Sequence, residues 1–237
     1  KALRQGRHAS NGKTGTNRKM PKTSPIALIM ATYIEAKPFV EKIDWLRAAK
    51  TPFPVYHARD LILVISGMGK TNAAAACAWL CTTANPGGII NLGAAGANIE
   101  GLTLGSIHHI REALETDRRH FKTAKPFCHR PDVMEGFSTA RVATREEPVI
   151  VPEERMRMSS LAELSDMEGA AIIQAARRFQ TRCFLFKFVS DTPGHSTGSE
   201  IAAHIRYWRD SLFDFYTTAI SPVIPWPNPA KTTEDCC

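Results

Sequence analysis

The chain has 237 residues, 43% of them hydrophobic and 22% charged, which suits a single domain with one sizeable buried core. Its formal net charge of +7 invites a nucleic-acid partner, but much of the excess sits in the first 24 residues, which contain no acid, so the body is far less basic. No stretch approaches the roughly 18 apolar residues of a membrane span. The six cysteines include no C-x-x-C pair, and read as reduced thiols of a cytoplasmic protein rather than a disulfide framework.

Residues 1–24 are rich in Gly, Ser, Thr and Asn and lack apolar periodicity, so they read as a disordered basic tail through which any nucleic-acid contact would run. They hold no apolar h-region, and no intact signal peptide is expected. Residues 25–31 are a short apolar run; residues 34–46 follow with Ile34, Phe39, Val40, Ile43 and Leu46 at helical spacing, giving a strand and then a helix. Strands are expected at 52–57 and 61–66, then an Ala-rich helix over 71–83 that stops before Asn85-Pro86-Gly87-Gly88. The run GIINL at 88–92 reads as a buried strand entering a small-residue turn at Gly93–Gly96. Further strands are expected at 106–110 and 139–143 around an irregular basic stretch, and helices at 152–161 and 167–179. A strand over 183–189 ends at Ser190-Asp191, and a closing helix covers 198–216. Strands and helices alternate, which defines an α/β fold, and the domain spans residues 25–217 with a Pro-rich tail over 218–237.

The sequence SGMGKT at 66–71 follows a strand and opens a helix in the manner of a phosphate-binding loop. Such a loop needs a further glycine five positions before Gly69, and that position is Val64. The amides of Gly67, Met68 and Gly69 at a helix N-terminus still suit an anion or a polarised water, or serve only a tight turn. Taken alone, Glu35 is a first-turn helix glutamate, Asp166-Met167-Glu168 is an acidic helix start, and Asp191 is a turn aspartate before Pro193. His195 and Ser196 have no G-x-S-x-G elbow beside them. His108-His109 and Cys128-His129 lack the spaced partners of a zinc site.

The order of these motifs carries more than any one of them. IALIMATYIEAKPF, SGMGKTNAAAACAWL, GIINLGAAGANIEGLTLGSI, LSDMEGAAIIQAA and FKFVSDTPG resemble, in order and rough spacing, the successive motifs of the nucleoside phosphorylase and nucleosidase superfamily, above all of the methylthioadenosine/S-adenosylhomocysteine nucleosidases. The resemblance implies a single α/β domain with a mixed, partly barrel-like sheet flanked by helices, and hydrolysis of a purine nucleoside's N-glycosidic bond. It places Glu35 where the family activates water, Asp191 where it protonates the purine, Ser190 beside it, Glu168 on the ribose hydroxyls and Met167 against the sugar. Gly67, Met68, Gly69, Ala94 and Gly96 fall in its substrate-binding turns. No cofactor or metal is implied; the expected partners are the nucleoside and a second copy of the chain in a homodimer.

Two departures narrow or widen this expectation. Phosphorylases of the superfamily carry arginines for phosphate near a turn that is here Ala31-Thr32-Tyr33, with no arginine nearby, although Lys70 or Arg145 could still reach an anion. Pro148 stands about where the nucleosidases place a phenylalanine that stacks on adenine. The expected substrates are 5′-methylthioadenosine, S-adenosylhomocysteine or 5′-deoxyadenosine. The alternatives are a phosphate-dependent phosphorylase, a futalosine or adenosyl-lipid hydrolase, and a silent nucleoside-binding protein.

Overall fold

The computed structural model describes residues 24–224 apart from residue 196, so the expectations for 1–23, 225–237 and Ser196 lie outside the described residues. In chain order the elements are β1 (Ile26–Met30), α1 (Tyr33–Lys42), β2 (Arg47–Ala49), β3 (Val55–His57), β4 (Leu61–Ile65), α2 (Lys70–Ala84) and β5 (Gly88–Ala97). They continue with β6 (Ile107–Arg119), β7 (Pro126–His129), β8 (Thr139–Thr144), α3 (Pro152–Ser159), β9 (Leu164–Asp166), α4 (Gly169–Arg178), β10 (Cys183–Asp191) and α5 (Gly198–Phe215). A π turn at Tyr216–Ile220 and a 3-10 turn at Ser221–Val223 follow, with Tyr216, Ile220 and Ile224 buried.

All ten strands join one sheet in the order β10-β6-β8-β9-β5-β1-β4-β3-β2, with β7 paired to β6. Because β10 also pairs with β5, strands β5, β9, β8, β6 and β10 close into a ring, while β1, β4, β3 and β2 extend from it as an open wing. β1, β4, β5 and β10 run parallel to their neighbours among this set, so their carboxyl ends meet on one side.

The apolar run of β1 is continuous, and that of β10 is broken only by Lys187 before its polar end, because both faces of the sheet are covered. Ala27 and Ile29 face a core completed by α2 and α4, including Ala73, Leu80, Ile172 and Ala176. Ile26, Leu28 and Met30 point the other way, into a core with Phe39, Phe186, Leu212 and Ile220. Among the described residues no helix is long and apolar enough to cross a membrane.

The short strands β2 and β9 are not among the expected elements, and three expectations are corrected by the structure. α1 stops at Lys42 and leaves Leu46 exposed, so Leu46 is not part of its apolar face. Gly93–Gly96 is not a turn but the second half of β5, held by β10 on one side and by β9 at its end. The irregular basic stretch is the long outer half of β6 with β7 paired against it; its charged residues Arg111, Asp117, Arg118 and Arg119 alternate or cluster on solvated backbone, which hides the strand period.

Candidate active site

A cavity of about 340 Å³ opens at the carboxyl ends of the parallel strands, where open α/β sheets present ligands. Residues after β1, at the ends of β5 and β10, and at the β9–α4 junction line it, with Pro148–Ile150 and the first turns of α5 as further walls. Glu35, Met68, Ala94, Gly96, Met167, Glu168, Ser190 and Asp191 all reach this one cavity. Gly67 and Gly69, expected among the substrate-binding residues, are not part of its lining, although the Gly69 amide holds Glu168.

Glu35 is buried in the first turn of α1 and serves two purposes. Its Oε2 accepts from the amide (2.9 Å) and hydroxyl (2.7 Å) of Thr32, and the Thr32 hydroxyl accepts from the Glu35 amide, forming a capping box. Its Oε1 accepts from the Ala94 amide at 2.8 Å. A carboxylate offers about four acceptor positions. Three are filled by the protein, which leaves one, on Oε1, for a water.

Glu168 sits at the N-cap of α4, where its Oε1 accepts from the Gly69 amide at 3.0 Å. Next to it, Asp166 binds the Thr144 hydroxyl (2.6 Å), the Gly169 amide (2.8 Å) and the ammonium of Lys187 (2.9 Å). Lys187, only 1% exposed in the middle of β10, also lies 3.9 Å from Glu168 Oε2. Burial opposes its charge, but Asp166, Glu168 and Glu35 outweigh that and hold the ammonium above the usual lysine range. Burial acts the other way on Glu168, and with the charges of Asp166 and Glu35 it overcomes Lys187 and the Gly69 amide, so its carboxyl is pushed up to about 7.

Asp191 ends β10 with both oxygens engaged. Oδ1 accepts from the Ser190 hydroxyl at 2.5 Å, and Oδ2 pairs with the guanidinium of Arg155. Arg155 in turn donates to the Ala97 carbonyl at 2.7 Å.

The glycines of β5 explain why this strand is so small-chained. A Cβ on Gly93 would come within 2.9 Å of Glu35 Oε1, and one on Gly96 within 2.7 Å of Asp191 Oδ2. The residues keep clear of the protein's own carboxylates, in addition to any room they leave for a flat ligand. In the β4–α2 turn, Gly67 and Gly69 take φ of 87° and 93°, where a side chain is strained. The helix N-terminus there does attract anions, but they are Glu168 on the Gly69 amide and Glu146 on the Lys70 amide, while the Gly67 amide bonds to the Ala31 carbonyl.

Sequence reasoning gave Lys187, Arg155 and Asp166 no part in the site. A lysine inside the apolar run CFLFKFV was the available signal, since a charge in a strand covered on both faces must be paired. Lys70 and Arg145 do not line the cavity: Lys70 is bound to Glu115 and Asp117, and Arg145 to Glu154 and Glu147. His109 is a core residue stacked on Phe186, its Nδ1 donating to the Leu185 carbonyl and its Nε2 accepting from the Met134 amide. His195 bonds to Thr192 and packs edge-on against His204.

A family model described as Phosphorylase superfamily matches residues 25–146, and the chain belongs to that family. Within it, the chain is 27% identical over 165 residues to the 5′-methylthioadenosine/S-adenosylhomocysteine nucleosidase of Bacillus subtilis (strain 168), covering 59% of this chain and 71% of that relative. The fold is similar to the Helicobacter pylori nucleosidase of the same description, with TM-score 0.74 and 14% identity over 85% of this chain and 99% of that one. It is equally similar to the futalosine hydrolase of Helicobacter pylori strain 26695, with TM-score 0.75, 15% identity and the same coverage of 85% and 99%. The Neisseria meningitidis nucleosidase gives TM-score 0.66 and 21% identity over 81% of this chain and 98% of that one.

Proposed function

We propose that the protein hydrolyses the N-glycosidic bond of a purine nucleoside and releases adenine from an adenosine with an apolar 5′ substituent, such as 5′-methylthioadenosine or 5′-deoxyadenosine. One observation carries this reading: four carboxylates, those of Glu35, Asp166, Glu168 and Asp191, line the cavity, and among the described residues no lysine or arginine does. An inorganic phosphate would find no counter-charge there, whereas water needs only the free acceptor on Glu35. Cleavage builds positive charge on the sugar and negative charge on the base, which carboxylates around the ribose and an acid at the base both favour.

In this scheme Glu35 takes a proton from the water that attacks C1′. Glu168 accepts from the ribose hydroxyls, with Met167 against the sugar. Asp191, after taking up a proton from solvent, passes it to a ring nitrogen as the C1′–N electron pair moves onto the base. Pro148, Val149 and Ile150, and Ile201 and Ile205 of α5, are apolar parts of the lining; in this scheme the first group faces the base and the second the 5′ end. Those two isoleucines disfavour a charged 5′ arm, and so rank S-adenosylhomocysteine and futalosine below methylthioadenosine.

The test is a panel of nucleosides incubated with and without phosphate and followed for free base. Release of adenine at one rate in both buffers is expected. Strict phosphate dependence would make the protein a phosphorylase, and tight nucleoside binding without turnover would make it a silent binder.

The raised carboxyl of Glu168 sets a pH dependence. A carboxylate is needed to accept from both ribose hydroxyls, so kcat/KM should rise with pH through about 7, the value reached in the free protein beside Lys187, Asp166 and Glu35. The stability linkage has the opposite sign: the folded protein keeps a proton that the unfolded chain releases near its ordinary 4.5, so this group's contribution falls as pH rises from there through about 7. A pH–rate profile in which Glu168→Gln, slow at every pH, retains the same inflection would assign the limb to another group.

A further inference from the structure

α3 is a short polar helix, PEERMRMS, in which the single buried side chain is an arginine. Apolar burial does not seat this helix. Arg155 is 1% exposed, and its guanidinium spends its two terminal nitrogens on Asp191 and on the Ala97 carbonyl at the end of β5, while its Nε is buried without a partner. Ion pairs taken out of water are costly and add little net stability compared with apolar packing. The arrangement is nevertheless accommodated by the backbone, since a Cβ on Gly96 would meet both Asp191 Oδ2 and, at 3.0 Å, Arg155 Nη1. Arg155 does not itself line the cavity; Asp191 stands between it and any ligand.

Resting on the nucleosidase reading above, we propose that Arg155 is a positioning residue of the reaction: from behind the cavity wall it fixes the orientation of the Asp191 carboxyl and stabilises the carboxylate left when that group protonates the departing base. Asp191 first takes up a proton from solvent through the open cavity; that proton goes to the ring nitrogen, the bonding pair of C1′–N goes to the base, and Asp191 returns to the carboxylate paired with Arg155. A preorganised donor of this kind needs no rearrangement at the moment of bond breaking. The Ala97 contact matters equally, because it ties the guanidinium to the strand that carries Gly96 and thereby holds the acid in one rotamer.

A double-mutant cycle on the full chain tests this, using the best adenosine derivative from the panel. Arg155→Met should lower kcat by at least roughly tenfold, less than the roughly 10²-fold loss of the acid itself, with KM within about threefold of the native value. Arg155→Lys, which keeps a charge but not the fork, should recover part of that loss. The Arg155→Met/Asp191→Asn protein should be no slower than Asp191→Asn alone, because an arginine that acts through Asp191 has nothing left to act on. Should Arg155→Met fail to fold, Arg155→Lys takes its place in the cycle with a smaller kcat loss that again vanishes on Asp191→Asn. A native kcat in both Arg155 variants overturns the proposal, as does an effect that adds in full to that of Asp191→Asn, since either would leave Arg155 as an anchor for α3. A native protein that releases no base from any nucleoside overturns the nucleosidase reading instead, before any variant is made.

Discussion

Asp191→Asn lowers base release from an adenosine derivative by at least roughly 10²-fold, the contribution typical of one general acid. The substitution suits the site sterically. The asparagine carbonyl can still accept from Arg155, and its amide can donate to the Ser190 hydroxyl, which is free to rotate into the role of acceptor. What disappears is a group that can take up and pass on a proton and that, as the carboxylate of the ion pair, balances a buried guanidinium. The second loss carries some of the roughly 3–5 kcal/mol that follows breaking a buried ion pair, so a lower melting temperature is expected alongside the rate effect. Affinity for a non-cleavable nucleoside analogue should change far less than kcat, because the proton matters at the transition state. Uridine, which lacks the five-membered ring of a purine, should be a poor substrate for the native protein. Native-rate cleavage by the asparagine variant, or a preference for uridine, would remove Asp191 from the role of acid.

Glu35→Gln is the second large effect, a loss of roughly 10²–10⁴-fold in turnover with the fold retained. An amide cannot take a proton from water. It also meets only donors at this position: the Thr32 amide and hydroxyl on one side, the Ala94 amide on the other. One of these must face the glutamine NH2, and leaving a buried donor unsatisfied costs about 1–3 kcal/mol. Circular dichroism melts measured with the rates separate the two consequences. A folded variant with near-native turnover would show that Glu35 is only the capping residue of α1.

Much of this architecture can be read from the chain before any coordinates. The run IALIM is apolar at every position because β1 is covered on both faces, LILVI shares that property and GIINL and CFLFKFV break it only at Asn91 and Lys187, so the α/β alternation is visible. The family resemblance assembles Glu35, the adjacent pair Met167-Glu168, and Asp191 from three separate segments, which no local pattern could do. Two kinds of information stay hidden. Gly93–Gly96 looks like a turn because glycine is normally poor in strands, and the benefit of having no side chain there appears only when Glu35, Lys187, Asp191 and Arg155 are in place. Arg155 looks like any charged residue of a solvated helix. Its burial depends on a carboxylate that lies 36 positions further along the chain.

β5 belongs both to the ring and to the open wing, and it is the seam where the two halves of the sheet meet. Glu35, through the Ala94 amide, and Arg155, through the Ala97 carbonyl, are both referenced to this seam, and Asp191 lies in register with its Gly96. The reaction chemistry is thereby anchored to a rigid frame. On the proposed reading, the surfaces for the base and the 5′ end come instead from the 148–150 segment and from α5, the latter tied to the Ser190 carbonyl of β10 through His204 rather than to β5. A lineage that exchanged one nucleoside for another need redraw only those two walls. The acids, the glycines that make room for them and the cations behind them would stay as they are, so on the proposed reading the substrate could change while the reaction is conserved.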